Sequence, residues 1–173
     1  EYQAAGHRIA EGMLTEGLAI TRMIHDRYHP LRRNPWNEVE CGDHYARAMA
    51  SYGVFLTACG YEHHGPKGHL GFAPRLNPEN FRAAFTTAQA WGTFTQKVEG
   101  ARQTAEIEVK WGNLRLRTLS LEVSQALKPA SARVIANGQP VVPAHRLEGR
   151  RVTVTFSSEV VLSAGQKIEM TLS

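Results

Sequence analysis

The sequence predicts a chain of mixed α and β structure in which helices come first and an antiparallel β-sheet or sandwich follows. The apolar residues recur at helical spacing before about residue 60 and alternate with polar residues from Leu70 onward. Turn-forming Gly and Asn residues separate the short alternating segments. We therefore expect two regions, with helices over 1–62 and an antiparallel β-rich region over 63–173.

Composition excludes several classes of protein. The 173 residues are 42% hydrophobic and 21% charged, which is typical of a folded globular chain and not of a disordered one. The net charge of +4 is spread without a basic run, so a nucleic-acid partner is not indicated. No apolar stretch is long enough to span a bilayer. Because the chain opens with Glu1-Tyr2-Gln3, we expect it to be part of a longer protein.

The first predicted helix covers Tyr2 to Tyr28. Its apolar residues, from Ile9 to Ile24, follow helical spacing. Gly6, Gly12 and Gly17 lie inside this range, and each costs up to ~1 kcal/mol relative to Ala in an exposed helix. A helix that carries three glycines is therefore expected to pack closely against neighbours on more than one side.

The second predicted helix runs from about Asp43 to Cys59, with Gly60 just beyond its end. It is apolar or small on nearly every side, which predicts a buried helix. Cys41 and Cys59 would lie roughly 27 Å apart at ~1.5 Å per residue, so they should not form a disulfide with each other. Two unpaired thiols favour a reducing compartment and hence a cytoplasmic location.

The loop that precedes the second helix, together with the first turn of that helix, is rich in groups that bind hydroxyls. Glu38 and Glu40 of the loop supply carboxylates, and Arg47, about one turn into the helix, supplies a fork-shaped donor. Either Trp36 or Tyr45 offers an apolar face for a sugar ring. This combination suits a polyhydroxylated ligand. The same residues also allow a structural interpretation, since Asp43 and Arg47 form an i, i+4 pair and Trp36 can fasten the loop to the core.

Three histidines follow the second helix. His63, His64 and His69 suggest a metal site, but their spacing matches no strong ligand pattern and the sequence offers no evident carboxylate or thiol partner. We therefore interpret them as structural, and we expect no metal and no cofactor.

The β region contains one strong hairpin signal and one phase slip. Residues 105–111 alternate, Gly112-Asn113 predicts a hairpin turn, and Leu114 and Leu116 continue the alternation. The apolar positions then change from even to odd numbers, which predicts a β-bulge near Arg117 and Thr118. Asn137-Gly138 is a second turn signal. About eight strands result, in an antiparallel sheet or sandwich.

The segment Asn34–Gly53 resembles the end of the catalytic region in glycoside hydrolase family 116, which includes bacterial β-glucosidases and non-lysosomal glucosylceramidases. Glu16–Ile20, His25–Tyr28 and Gly68–Pro74 are also similar to that family. The resemblance covers roughly residues 2–96. It implies that the helices are the last ones of a six-hairpin α/α barrel.

The same resemblance implies a role in retaining β-glycoside hydrolysis, which needs two carboxyl groups about 5 Å apart. In the family both groups lie upstream, so we expect them on an upstream portion that is either a separate chain or missing from this sequence. Glu38 and Arg47 match, nine positions apart, the glutamate and arginine that bind the outer hydroxyls of the −1 sugar. The expected substrate is a β-glucoside or related glycoside, bound by Glu38, Arg47 and Trp36.

Three alternatives remain open at this point. Glu38 and Glu40 would lie about 6.5 to 7 Å apart in an extended segment, near the low end for an inverting catalytic pair. The chain could instead be a stand-alone, non-catalytic carbohydrate-binding β module, or a structural domain without a ligand. The apolar second helix argues against the last two, because alone it would expose a large apolar patch.

Overall fold

The computed structural model describes residues 1–28, 31, 48–125, 127 and 131–173. For residues 48 and 49 it describes the backbone alone. The chain divides into two units, Glu1–Gly60 and Tyr61–Ser173, which we describe separately. The assignment of 1–62 to a catalytic region and of 63–173 to a β-rich C-terminal region stays a prediction.

The first unit contains helices α1 (Tyr2–Ala10), α2 (Leu14–Arg27) and α3 (Ala48–Cys59). The prediction of one helix over 2–28 is wrong, because the chain turns at Gly12. Gly12 has a φ of +85°, and its N–H donates to the carbonyl of Ile9 at 3.1 Å while that of Met13 donates to Arg8 at 2.9 Å. These two bonds form a Schellman cap, which ends α1.

One of the three glycines, Gly17, permits the close helix packing that their number predicted. A Cβ on Gly17 of α2 would lie 2.5 Å from Cγ1 of Ile9 in α1, closer than real side chains approach. Gly6 of α1 faces α3, but a Cβ there would lie 3.7 Å from the carbonyl oxygen of Gly53, which is an ordinary van der Waals contact. Helix α1 therefore packs against both α2 and α3, and Ile9 is fully buried there.

The prediction that these helices belong to a six-hairpin α/α barrel is wrong. The described residues form three α-helices, and 52% of the structure is strand, so the protein is β-rich. Helix α3 is also less buried than its composition predicted: Tyr52 and Phe55 are 42% and 36% exposed. The apolar composition of α3 predicted more burial than the structure shows, because α3 buries Val54 against α1 but leaves other apolar side chains accessible. Among the described residues, no helix has the length and apolar character that crossing a membrane requires.

The second unit is built from strands. In chain order they are β1 (Glu62–His64), β2 (His69–Phe72), β3 (Asn80–Thr86), β4 (Ala90–Glu99), β5 (Arg102–Glu122), β6 (Ala132–Ala136), β7 (Gln139–Val141), β8 (Ala144–Glu148), β9 (Arg151–Ser163) and β10 (Lys167–Leu172).

The strands form two sheets that share β5. Sheet I has the order β3-β4-β5-β10-β6-β7, and sheet II has the order β1-β2-β5-β9-β8. All pairs are antiparallel except β2 with β5, which is parallel and departs from the predicted antiparallel arrangement. The rings of Phe72 in sheet II and Phe94 in sheet I stack with centroids 3.9 Å apart, so the two sheets face each other around one core.

Strand β5 continues through Gly112, where a hairpin was predicted. The residues up to Gly112 pair with β4, and those from Asn113 onward pair with β9. Gly112 has a φ of +78°, and a Cβ there would lie 2.0 Å from the carbonyl oxygen of Gln89. The hairpin prediction is therefore wrong, because the two halves of β5 pair with different strands and not with each other.

The predicted bulge and the second predicted turn are both confirmed. The pairing of β5 with β9 shifts between Leu116 and Thr118, and the N–H groups of Arg117 and Thr118 both donate to the carbonyl of Gly68, at 2.7 and 3.1 Å. Asn137 and Gly138 have φ values of +50° and +77° between β6 and β7. Two successive positive φ angles are typical of a type I′ hairpin.

A buried glutamine links the two ends of β5. The amide nitrogen of Gln103, which is fully buried, donates to Oε1 of Gln96 at 3.1 Å and to the carbonyl of Glu122 at 2.9 Å. Its oxygen accepts the N–H of Ser124 at 2.8 Å. Because Gln103 lies in sheet I and Glu122 ends β5 in sheet II, these bonds join the sheets across the core.

We expect Gly112→Ala to destabilise the second unit by roughly 3 kcal/mol or more, because both the backbone angle and the space oppose a side chain. Gly165→Ala is the matched control: it also has a positive φ, of +82°, but no atom within 4 Å of the added Cβ. It should cost only about 1–2 kcal/mol. Urea unfolding of both variants measures the difference, and equal losses would contradict the close approach to Gln89.

The thiol of Cys59 should react slowly in the folded chain. Burial raises the pKa of this thiol from 9.0 to about 11. Since only the thiolate is alkylated, iodoacetamide at pH 8 should label it on the order of a hundredfold more slowly than in the urea-unfolded chain. Because folding raises this pKa, the chain should also lose stability as the pH rises from 9 to about 11.

Peptide mapping by mass spectrometry separates Cys59 from Cys41 in that experiment, so the reactivity of the second thiol does not obscure the result. A labelling rate equal to that of the unfolded chain would contradict the burial of Cys59.

Candidate functional site

The predicted sugar-binding residues lie outside the described part of the chain. Trp36, Glu38 and Arg47 all fall in the interval between residues 31 and 48, as does Glu40. Their proposed contacts with a ligand therefore stay predictions.

The described end of the family-like segment is helix α3, which begins one residue after Arg47 in the sequence. Val54 packs with Ala5 and Ile9 of α1 in the core of the first unit. The hydroxyl of Thr57 donates to the carbonyl of Gly53 at 2.8 Å, at the point where α3 approaches α1. This helix is thus fixed by packing on its α1 side.

The three histidines have structural contacts. Nδ1 of His64 accepts the N–H of Lys67 at 3.3 Å, and Nδ1 of His69 lies 2.8 Å from the hydroxyl of Thr118. Partial burial, followed by the charges of His64 and His69, lowers the pKa of His63. Within the ranges that the structure describes, no group of three or more His, Cys, Asp or Glu side chains could hold a metal ion.

An ion-pair network joins β1, β2 and β9 in sheet II. Arg151 donates two bonds to the carboxylate of Glu62, at 2.9 and 2.6 Å, and Nε2 of His69 lies 3.5 Å from the same carboxylate. A two-point contact of this kind holds a side chain in one orientation. With its groups already engaged, the network serves to hold strands together, and sequence reasoning did not find the Glu62–Arg151 pair because its members lie far apart in the chain.

Sheet I presents a polar surface on the side opposite its core, which we call the outer face. It is formed by alternate residues of three neighbouring strands, namely Trp91, Thr93, Thr95 and Lys97 of β4, Thr104, Glu106 and Glu108 of β5, and Lys167, Glu169 and Thr171 of β10. An open groove of about 300 Å³ lies on this face between the threonines and Glu106 and Glu169. Hydroxyls and carboxylates that line one groove can bind a ligand rich in hydroxyl groups.

One lysine is held between two carboxylates of the outer face. Nζ of Lys167 lies 2.8 Å from Glu106 and 2.7 Å from Glu169. The hydrogen bonds that Lys167 donates to Glu106 and then to Glu169 raise the pKa of Lys167, so this side chain stays charged at ordinary pH. The sequence signal for this cluster was the strict alternation in β5 and β10, which we used only to place strands.

Comparison with known proteins gives partial structural similarity. No protein-family model matches the chain, and no curated protein matches it either. A GH127 β-L-arabinofuranosidase from Geobacillus stearothermophilus T6 is similar over 73% of this chain and 18% of its own, with a TM-score of 0.43 and 14% identity. An α-L-rhamnosidase from Dictyoglomus thermophilum is similar over 76% and 14%, with a TM-score of 0.40 and 9% identity.

A third solved structure, named only as a glycoside hydrolase, is similar over 73% of this chain and 19% of its own, with a TM-score of 0.39 and 13% identity. The chain therefore spans less than a fifth of the length of each of these structures. All three are glycoside hydrolases by name, and none is named as a member of family 116. At TM-scores below 0.5, the similarity does not carry an activity over to this chain.

Proposed function

We propose that this chain is a portion of a β-glycoside hydrolase, in which the loop before α3 binds the sugar of the −1 subsite. The proposal rests on the resemblance of Asn34–Gly53 to family 116, with Glu38 and Arg47 nine positions apart. The catalytic nucleophile and the acid/base belong to another part of the enzyme, and no residue of this chain performs the chemical step.

The roles follow from the chemistry of the side chains. The carboxylate of Glu38 accepts hydrogen bonds from two neighbouring hydroxyls, and the guanidinium of Arg47 donates to a sugar oxygen through its fork of N–H groups. The indole of Trp36 covers the apolar face of the ring. Contacts of this kind fix the anomeric carbon against the nucleophile, and they accelerate the reaction insofar as they strengthen in the transition state.

The second candidate function is a stand-alone carbohydrate-binding β module without catalysis. The observation that favours it is the second unit itself, which buries its own apolar core between two sheets and presents a hydroxyl-rich groove on the outer face of sheet I. In this alternative the sugar contacts lie in the second unit, and Glu38 and Arg47 have none.

In the full-length enzyme, Glu38→Gln and Arg47→Ala should each lower kcat/KM for an aryl β-glucoside. One charged hydrogen bond is worth ~1.5–3 kcal/mol, so the loss should be about tenfold to a hundredfold. Circular dichroism spectra should match those of the unsubstituted enzyme, because both side chains are assigned to the ligand and not to the fold.

Glu40→Gln is the matched control, because it removes a carboxylate from the same loop at a position to which the family resemblance assigns no sugar contact. It should leave kcat/KM nearly unchanged. Unchanged kinetics in both Glu38→Gln and Arg47→Ala would contradict the assignment of the subsite. Absence of any β-glycosidase activity in the unsubstituted full-length protein would contradict the proposed enzyme class and favour the module.

A further inference from the structure

Two tryptophans are exposed side by side at one end of the outer face of sheet I. Trp91 of β4 and Trp111 of β5 are direct cross-strand partners, and they are 49% and 61% exposed. Large aromatic side chains usually bury 150–250 Å² each, so two such residues exposed together are uncommon in a folded chain. The fold leaves this pair accessible even though a large core lies on the other side of the sheet.

The backbone under the pair is held firmly. The ladder between β4 and β5 shifts register at Trp91 and Gly92, and a Cβ on Gly92 would lie 2.0 Å from the carbonyl oxygen of Glu108. Beyond the pair, the N–H of Asn113 donates to Gln89 at 3.0 Å. A bulge redirects side chains, and here it places Lys110 as the extra residue next to Trp111. The backbone that carries the two indoles is therefore held in one conformation by its contacts with neighbouring strands.

The surroundings of the pair are polar and balanced in charge. Along the strands from the indoles lie Thr93 and Glu108, and Nζ of Lys110 contacts Glu108 at 2.5 Å. The cross-strand register continues the surface through Thr95 and Glu106. With Lys110 included, three lysines and three glutamates lie on β4, β5 and β10 here, namely Lys97, Lys110, Lys167, Glu106, Glu108 and Glu169.

This balance argues for an uncharged ligand. A polyanion such as nucleic acid would be attracted by a basic surface, whereas two of the three lysines here, Lys110 and Lys167, are paired with carboxylates. A protein partner is also a poor fit, because charged residues are depleted at the core of protein interfaces.

We propose that the outer face of sheet I binds a neutral oligosaccharide, with Trp91 and Trp111 stacking on sugar rings. A pyranose ring presents an apolar C–H face and a rim of hydroxyls, which is the combination that this surface offers. The threonine hydroxyls and the carboxylates of Glu106 and Glu108 hydrogen-bond the rim. The site goes beyond the proposed role of the loop, because none of its residues belongs to the loop of Glu38 and Arg47, and it deepens the second candidate function by naming the residues that contact the sugar.

The length of the surface indicates a chain and not a single sugar. Lys97 lies six positions after Trp91 along β4, which corresponds to about 20 Å at ~3.3 Å per residue. The groove lined by Thr95, Thr104 and Thr171 lies toward the far end of this path. An oligosaccharide that lies along β4 and β5 would contact both the indoles and the groove.

The test uses the 173-residue chain and isothermal titration with cellotetraose, xylotetraose and mannotetraose, with tetragalacturonate as an anionic comparison. Binding of at least one neutral tetrasaccharide is expected. Trp91→Ala and Trp111→Ala should each weaken that binding roughly tenfold or more, because each removes one stacking surface. Both residues are largely accessible, at 49% and 61% exposed, so neither substitution should unfold the chain.

Leu147→Ala is the matched control, since Leu147 is 48% exposed on β8 of sheet II, and it should leave affinity unchanged. Trp91→Phe and Trp111→Phe keep a ring and should retain most of the binding. Failure of the unsubstituted chain to bind any neutral tetrasaccharide, preference for tetragalacturonate, or full binding by the double alanine variant would each overturn the proposal. Binding that is lost in Glu38→Gln but kept in the double alanine variant would overturn this site and support the loop.

Discussion

The second unit depends on the passage of strand β5 from one sheet to the other. The strand pairs with β4 before Gly112 and with β9 after it, so both sheets are built outward from one continuous segment. Gln103 closes this arrangement by binding the backbone at the far end of the same strand. The core between the sheets, with the stacked rings of Phe72 and Phe94, forms because β5 fixes the position of each sheet relative to the other.

The surface features follow from the same constraint. The positive φ of Gly112 and the close approach of Gln89 fix the end of the β4–β5 ladder, and Trp111 immediately precedes that point. The register shift at Trp91 places its indole opposite Trp111. The pairing of the two tryptophans therefore follows from the register of the β4–β5 ladder, which ends where β5 passes to sheet II.

Local patterns predicted local features well. The change of phase after Leu116 predicted the bulge at Arg117 and Thr118, and Asn137-Gly138 predicted its hairpin, since both signals depend on neighbouring residues alone. Gly112-Asn113 misled the prediction because a glycine with positive φ serves a hairpin and a strand crossing equally well. Only the pairing of the second half of β5 with β9, which lies far away in the sequence, decides between them. The parallel pairing of β2 with β5 was hidden for the same reason.

The helices show a different limit. Gly12 was interpreted as an interior glycine, although it ends α1. The sequence does not distinguish a glycine that caps a helix from a glycine that allows close packing inside one. The uniform apolar character of α3 favoured a buried helix in a barrel, whereas burial is set by the neighbours that are present. Family resemblance proposed Glu38, Arg47 and Trp36 as sugar-binding residues, but it offered no guide to the outer face of sheet I. That surface became visible only once the register of β4, β5 and β10 was known.

The central claim is that this chain offers two separate surfaces to carbohydrate, the loop around Trp36 and the Trp91–Trp111 pair. The indole N–H signals of these three tryptophans can be followed by two-dimensional ¹⁵N NMR while an aryl β-glucoside or, in turn, cellotetraose, xylotetraose or mannotetraose is added. The account predicts that at least one of these tetrasaccharides shifts the signals of Trp91 and Trp111 together, with one affinity, and that the monosaccharide glycoside shifts only that of Trp36. Signals of Trp91 and Trp111 that stay unchanged with all three tetrasaccharides, or that move with different affinities, would contradict it.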